Sequence, residues 1–184
     1  GLNSDKDEIS SENLARFVSK YLNAARVGKG AIEKWSAVND FNEKPFSKCD
    51  SCQFKEKCHG TFGEVEGLGL YPLTEKAIWN LTQRVEDRFP RVFNPRIIQN
   101  EVLKKTLNVY ANEIQRVKFP SEEFLDEFGG PTAIPLVQRS ELRSKDEQKA
   151  RRWIPFLEIY DGSVTLITLP KELMSTLDID LIPN

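Results

Sequence analysis

The chain has 184 residues, with 26 Lys and Arg against 28 Asp and Glu, and 39% of it is hydrophobic. That length suits one ordinary domain or two small ones, and aromatic residues at 10% argue for a packed core rather than a disordered chain. A net charge of −2 excludes a strongly basic nucleic-acid wrapper but not a local basic face, and there is no run of about 18 apolar residues to cross a membrane.

Residues 1–10 are polar and acidic, and a disordered tail is expected there. The first thirty residues carry no apolar signal core, so a cytoplasmic, reducing setting is expected. Ser10 or Ser11 then caps a helix whose apolar face is Leu14, Phe17, Val18, Tyr21, Leu22 and Ala25. Gly28 and Gly30 end it, and Ala31, Ile32, Trp35 and Val38 predict a second, shorter helix. Residues 39–70 read as a long irregular stretch, which in a compact domain needs an organiser.

Pro72 is expected to open the next helix, with Leu73, Ala77, Ile78, Leu81 and Val85 as its stripe, and Pro90 to close that region. Asn94-Pro95 is a further cap and first turn, followed by Ile98, Val102, Leu103 and Leu107. Phe119-Pro120-Ser121 starts a helix with Phe124, Leu125 and Phe128 that Gly129-Gly130 stops. Residues 131–140, with Pro131 and Pro135, read as extended. Ser144 and Glu147 read as a capping box for a helix through Trp153, broken or kinked at Pro155. Ser163 to Leu169 alternates as a strand does, with Phe156–Tyr160 as its hairpin partner across Asp161-Gly162-Ser163. Pro170 starts a last short helix, Lys171–Leu177.

The cysteines carry the strongest chemical signal. All three fall within Cys49–Cys58, and the only histidine, His59, is next to the last. An odd count in one cluster does not suit a disulfide framework. Cys49-Asp-Ser-Cys52 is a C-x2-C step that lets two thiolates grip one ion, and Cys58 and His59 complete a Cys3His shell suited to structural Zn²⁺. Asp50, Glu56 or Glu64 is an alternative fourth ligand, since Cys58 and His59 are neighbours and need a tight local turn to reach one ion. An iron–sulfur cluster is the second metal option, against which stands the missing fourth thiolate. With His59 on a metal, no histidine remains for acid–base work, and no P-loop sequence occurs. The chain is therefore expected not to be an enzyme by itself.

From Cys49 to about Leu107 the chain reads C-x2-C-x5-C-H, Phe62-Gly63, Gly69-Leu70-Tyr71-Pro72-Leu73, an amphipathic helix, then Phe93-Asn94-Pro95-Arg96 and a second helix. This resembles the lid region that follows the nucleotide-binding core in large bacterial P-loop ATPases of the AAA/STAND type, notably those of DNA-modification and phage-defence islands. The resemblance implies that Arg96, at the start of a lid helix, senses the nucleotide γ-phosphate, a role in keeping with helix N-termini and guanidinium groups as phosphate binders. It also implies a bacterial cytoplasmic protein whose partners are the rest of a larger ATPase or a defence-complex subunit, with DNA as a further partner. The chain departs from that family in lacking Walker motifs, which makes it a fragment or a partner of the core.

Residues 139–152 hold Arg139, Arg143, Lys145, Lys149, Arg151 and Arg152 against Glu141, Asp146 and Glu147. Such an excess suits a phosphate backbone, but the favoured reading is a helix face laced with ion pairs. The expected fold is mainly α, with a Cys3His-type zinc-binding loop and a small β-hairpin near the C-terminus. The expected organisation is a tail at 1–10, a helical domain at 11–130 with the zinc-binding insertion at 45–70, and a smaller α/β element at 131–184. The expected function is a zinc-stabilised helical module that couples nucleotide state to DNA or partner binding. The alternatives are a freestanding zinc-containing nucleic-acid-binding module and a protein–protein adaptor.

Overall fold

The structure, a computed structural model, describes residues 10–37, 46–86, 94–130, 132–161 and 169–184. Among them the chain is mainly helical, with one two-stranded antiparallel hairpin. Its contacts divide it into two compact units. One comprises Gly1–Trp79 and Arg91–Pro95, the other Asn80–Pro90 and Arg96–Asn184.

In the first unit, helix α1 (Ser11–Val27) starts where Ser10 Oγ accepts the amide of Asn13, and ends at Gly28, whose φ of 138° no other residue adopts readily. Its predicted stripe is buried at Leu14, Phe17, Val18, Tyr21 and Leu22. Helix α2 (Lys29–Ala37) follows directly and contains Gly30, so only Gly28 separates the two. Val38 lies outside the described residues. The stretch read as irregular is ordered from Phe46 onward. It holds a 3-10 turn at Lys48–Ser51, helix α3 (Lys55–Phe62), and strands β1 (Glu64–Val65) and β2 (Leu68–Gly69) paired antiparallel. Glu66 and Gly67, both at positive φ, make the two-residue turn between the strands.

Helix α4 (Glu75–Glu86) begins three residues later than its proline signal. Pro72 sits in the preceding turn, and Thr74 Oγ1 caps the helix by accepting from the Ala77 amide at 3.1 Å. The boundary between the units falls within α4, after Trp79. The Pro90 stop lies outside the described residues.

Helix α5 (Pro95–Ile97) starts at the predicted proline, continues into the second unit from Arg96, and widens at once into π-helical turns at Ile98–Leu103 and Lys105–Val109. The Lys104 amide reaches Gln99 O, and the Tyr110 amide reaches Lys105 O, each five residues back. Ile98, Val102 and Leu103 are buried as expected. Thr106, with its hydroxyl returned to Val102 O at 2.7 Å, is buried as well, whereas Leu107 is half-buried. Helix α6 (Ala111–Gln115) and helix α7 (Glu122–Phe128) then frame an aromatic cluster. Phe124 is 4.9 Å from Tyr110, 4.7 Å from Phe119 and 4.8 Å from Phe128, centroid to centroid.

Ser121 caps α7 as predicted by accepting the Phe124 amide, and its hydroxyl donates to Glu113 Oε1 at 2.6 Å. Burial raises the Glu113 pKa, with Glu123 adding to the rise and Ser121 and Arg152 opposing it. A raised folded-state pKa means the native protein holds this proton more readily than the unfolded chain, so the group's contribution declines as pH rises through that pKa. Glu113→Gln keeps an acceptor for Ser121. It is expected to raise the thermal midpoint at neutral pH, with the advantage vanishing on acidification. Unfolding curves across a pH series check this, and equal midpoints at neutral pH contradict it.

The region beyond residue 131 departs most from expectation. Residues 136–140 are not extended. They belong to helix α8 (Leu136–Lys145), entered from Pro135. Ser144 is inside α8, and the cap of helix α9 (Glu147–Phe156) is Asp146, whose side chain accepts the Lys149 amide. Pro155 does not end α9. The helix passes through it and widens into a π turn at Leu157–Asp161. The hairpin expected near the C-terminus is therefore corrected, because Phe156–Tyr160 is a helical segment buried on every side. Its partner at 163–168 lies outside the described residues, and Leu169 is in no strand. Helix α10 (Lys171–Thr176) follows Pro170 as predicted.

One buried ion pair organises this unit. Glu158, fully buried, accepts from Arg84 Nη2 at 2.7 Å and from the amides of Ala133 at 2.8 Å and Ile134 at 3.0 Å. Arg84 Nη1 also donates to Gly129 O at 2.7 Å. The two side chains thus tie α4, the end of α7, the 132–134 segment and the π turn together.

Candidate metal centre

Two polar residues on the last turns of α1 hold both arms of the cysteine segment. The buried Asn23 donates through Nδ2 to Phe46 O at 2.7 Å and accepts at Oδ1 from the Lys48 amide at 2.8 Å. Three residues on, and so on the same helix face, Arg26 Nη2 donates to Gly69 O at 3.0 Å and to Tyr71 O at 2.9 Å. Ser47 joins the arms by donating to Gly67 O at 3.0 Å. Helix α1 therefore fixes the approach to Cys49 and the exit from β2 at the same time.

Between these arms stand the predicted ligands. Cys49 is buried in the 3-10 turn, Cys52 is exposed just after it, and Cys58 and His59 are half-buried on consecutive positions of α3. The Gly69 amide donates to Cys49 Sγ at 3.4 Å, and Arg26 Nη1 lies 4.0 Å from the same sulfur. A Cβ built on Gly69 meets His59 Nε2 at 3.0 Å and Cys49 Sγ at 3.4 Å, so both donor atoms converge on the bare Cα of this residue. His59 Nε2 is buried and has no hydrogen-bond partner. Among the described residues, no three His, Cys, Asp or Glu side chains are gathered in the arrangement that would hold one ion.

The electrostatics of the cluster are coupled. Burial pushes the Cys58 thiol above its ordinary range. Arg26 and a hydrogen bond from the Tyr71 backbone oppose this, and Cys49 and Cys52 add to it. Burial likewise lowers the His59 pKa, which favours the neutral imidazole that a metal requires. Of the alternative ligands, Asp50 is engaged by Lys55 at 2.7 Å. Glu64 accepts from the Gly67 amide in the hairpin turn, and Glu56 is exposed in the first turn of α3.

The other predicted site residues lie in the second unit. Arg96 is exposed on the first turn of α5. The basic stretch is largely spent within the fold. Arg143 pairs with Glu122 at 3.2 Å and Glu147 at 3.3 Å, Lys145 donates to Pro183 O, and Lys149 pairs with Asp180 at 3.6 Å. Arg152 donates to the carbonyls of Val117, Phe119 and Leu177. The adjacent Trp153 is buried with its ring nitrogen donating to Asp180 O at 2.8 Å. Arg139 is half-buried and Arg151 exposed, on α8 and α9 respectively.

Asn23, Arg26 and Gly69 were not legible as parts of this site. The only local hint was an Asn inside a helix, where its side chain ordinarily competes with the backbone. No protein-family model, no curated protein and no solved structure matches this chain.

Proposed function

We propose that the chain is a non-catalytic helical module whose first unit is organised by a structural Zn²⁺ held by Cys49, Cys52, Cys58 and His59. The observation that carries this is the meeting of an orphaned, buried imidazole nitrogen and a buried sulfur on a glycine Cα that leaves room for both. The amide donor to Cys49 is of the kind that stabilises a ligating thiolate. When bound, the ion supplies cross-linking of the two arms and no redox chemistry. In this reading the protein presents Cys52 and Cys58 to the same ion as Cys49 and His59.

The role of this module in a larger ATPase of a DNA-modification or defence system rests on the motif run from Cys49 to Leu107, with Arg96 as the nucleotide-sensing residue. The internal pairing of Arg143, Lys149 and Arg152 favours this coupling role over a freestanding nucleic-acid-binding one.

Elemental mass spectrometry of freshly purified, reduced protein, with a visible spectrum, tests the metal assignment. One equivalent of zinc and no visible absorption is the expected result. Iron with a brown chromophore, or folded protein free of metal, overturns it.

A further inference from the structure

We infer that Arg26 is the outer-sphere residue of the zinc site, positioning its ligands and balancing its charge. The inference rests on the zinc reading above and concerns a residue outside the Cys3His set.

Three thiolates and one imidazole around Zn²⁺ leave a net charge of −1. That charge sits beside the buried Cys49, where an uncompensated ion is costly. The guanidinium of Arg26 lies beside it, with Nη1 at 4.0 Å from Cys49 Sγ. Its other nitrogen is held at 2.9 and 3.0 Å by two carbonyls, those of Tyr71 and Gly69. Those same two residues present their backbone to the ligands. Gly69 donates to Cys49 Sγ and its Cα faces His59 Nε2, while Tyr71 hydrogen-bonds Cys58. By gripping these carbonyls, Arg26 aims the neighbouring amides at the sulfurs.

The planar fork of arginine suits this double task. A lysine restores the charge but is a single point donor and cannot reproduce the fork. Asn23, one turn earlier, fixes the other arm. The metal site is thus built on the C-terminal turns of α1, and not only within its own loop.

The test is zinc affinity by competition with a chromophoric chelator, together with the Co²⁺ absorption spectrum, on the full chain. Wild type, Arg26→Met and Arg26→Lys are compared. Outer-shell losses at metal sites weaken binding by about 10–100-fold, and a loss in that range is expected for Arg26→Met, with an intermediate loss for Arg26→Lys. The tetrahedral cobalt–thiolate bands are expected to persist in both, because no ligand has been removed. If wild type binds zinc and Arg26→Met binds it equally well, the inference falls while the zinc reading stands. If wild type binds no zinc, the reading itself falls and this inference with it. Where Arg26→Met does not fold, the Arg26→Lys affinity decides, and a value equal to wild type overturns the forked-donor role.

Discussion

Glu158→Ala is expected to destabilise the second unit by about 3–5 kcal/mol, the usual cost of breaking a buried pair by removing one partner. The substitution leaves Arg84, 6% exposed at its side chain, as an uncompensated charge. It also strips the acceptor from the amides of Ala133 and Ile134. Glu158→Gln is not a remedy. Both carboxylate oxygens face donors, so the amide nitrogen opposes an N–H in either orientation. The double change Arg84→Met with Glu158→Met is expected to cost less than either single loss, since it removes the stranded charge. Urea unfolding with unchanged slope checks the order of the three. A Glu158→Ala protein as stable as wild type contradicts the assignment of this pair as the tie of the unit.

Removing the proposed zinc is expected to have an effect of similar or greater size, confined to the first unit. Structural zinc contributes an apparent ~10–16 kcal/mol to small zinc-finger peptides, against total domain stabilities of about 5–15 kcal/mol. The first unit has apolar support of its own at Leu14, Phe17, Val18, Leu68, Leu70 and Leu73, all buried. Cys58→Ser, or chelation of the wild type, is therefore expected to release the 46–71 segment first and to lower α1 protection second. Hydrogen exchange reads this directly. Amides of α3 and the hairpin are expected to lose protection, while those of α9 keep it. Unchanged exchange in 46–71 after verified metal removal contradicts the structural role.

What the amino-acid sequence disclosed, and what it did not, follows physical lines. The stripe of α1, the caps at Ser10 and Ser121 and the stops at Gly28 and Gly129 were readable because each depends on residues within one or two turns. Helix α8 was not, because only Leu142 of its ten residues is buried and Pro135 stands at its entry. A helix without an apolar stripe carries no periodic signal. Phe156–Tyr160 was misread because a short apolar run looks alike as a buried strand and as a buried helix. Its one charged residue, Glu158, faces Arg84 from 74 positions away. The four proposed metal ligands were visible in their spacing, whereas Asn23 and Arg26 reach partners 23 to 45 residues off and are found only once the arms are folded back.

The π turns between Ile98 and Val109 have a consequence for the length of the chain. Each five-back hydrogen bond takes one residue more than the ordinary ladder needs, so this stretch behaves as if residues had been inserted into a helix without breaking it. Removing one of those extra residues would close a four-back turn and leave the elements after it in place, whereas the same cut in an ordinary α-helical turn would rotate everything beyond it by about 100°. Tyr110 would keep its ring against Phe124 and its hydroxyl on the carboxylate of Glu127. Surface loops ordinarily absorb such changes in length; here a helical stretch leading into the aromatic cluster has the slack to do so.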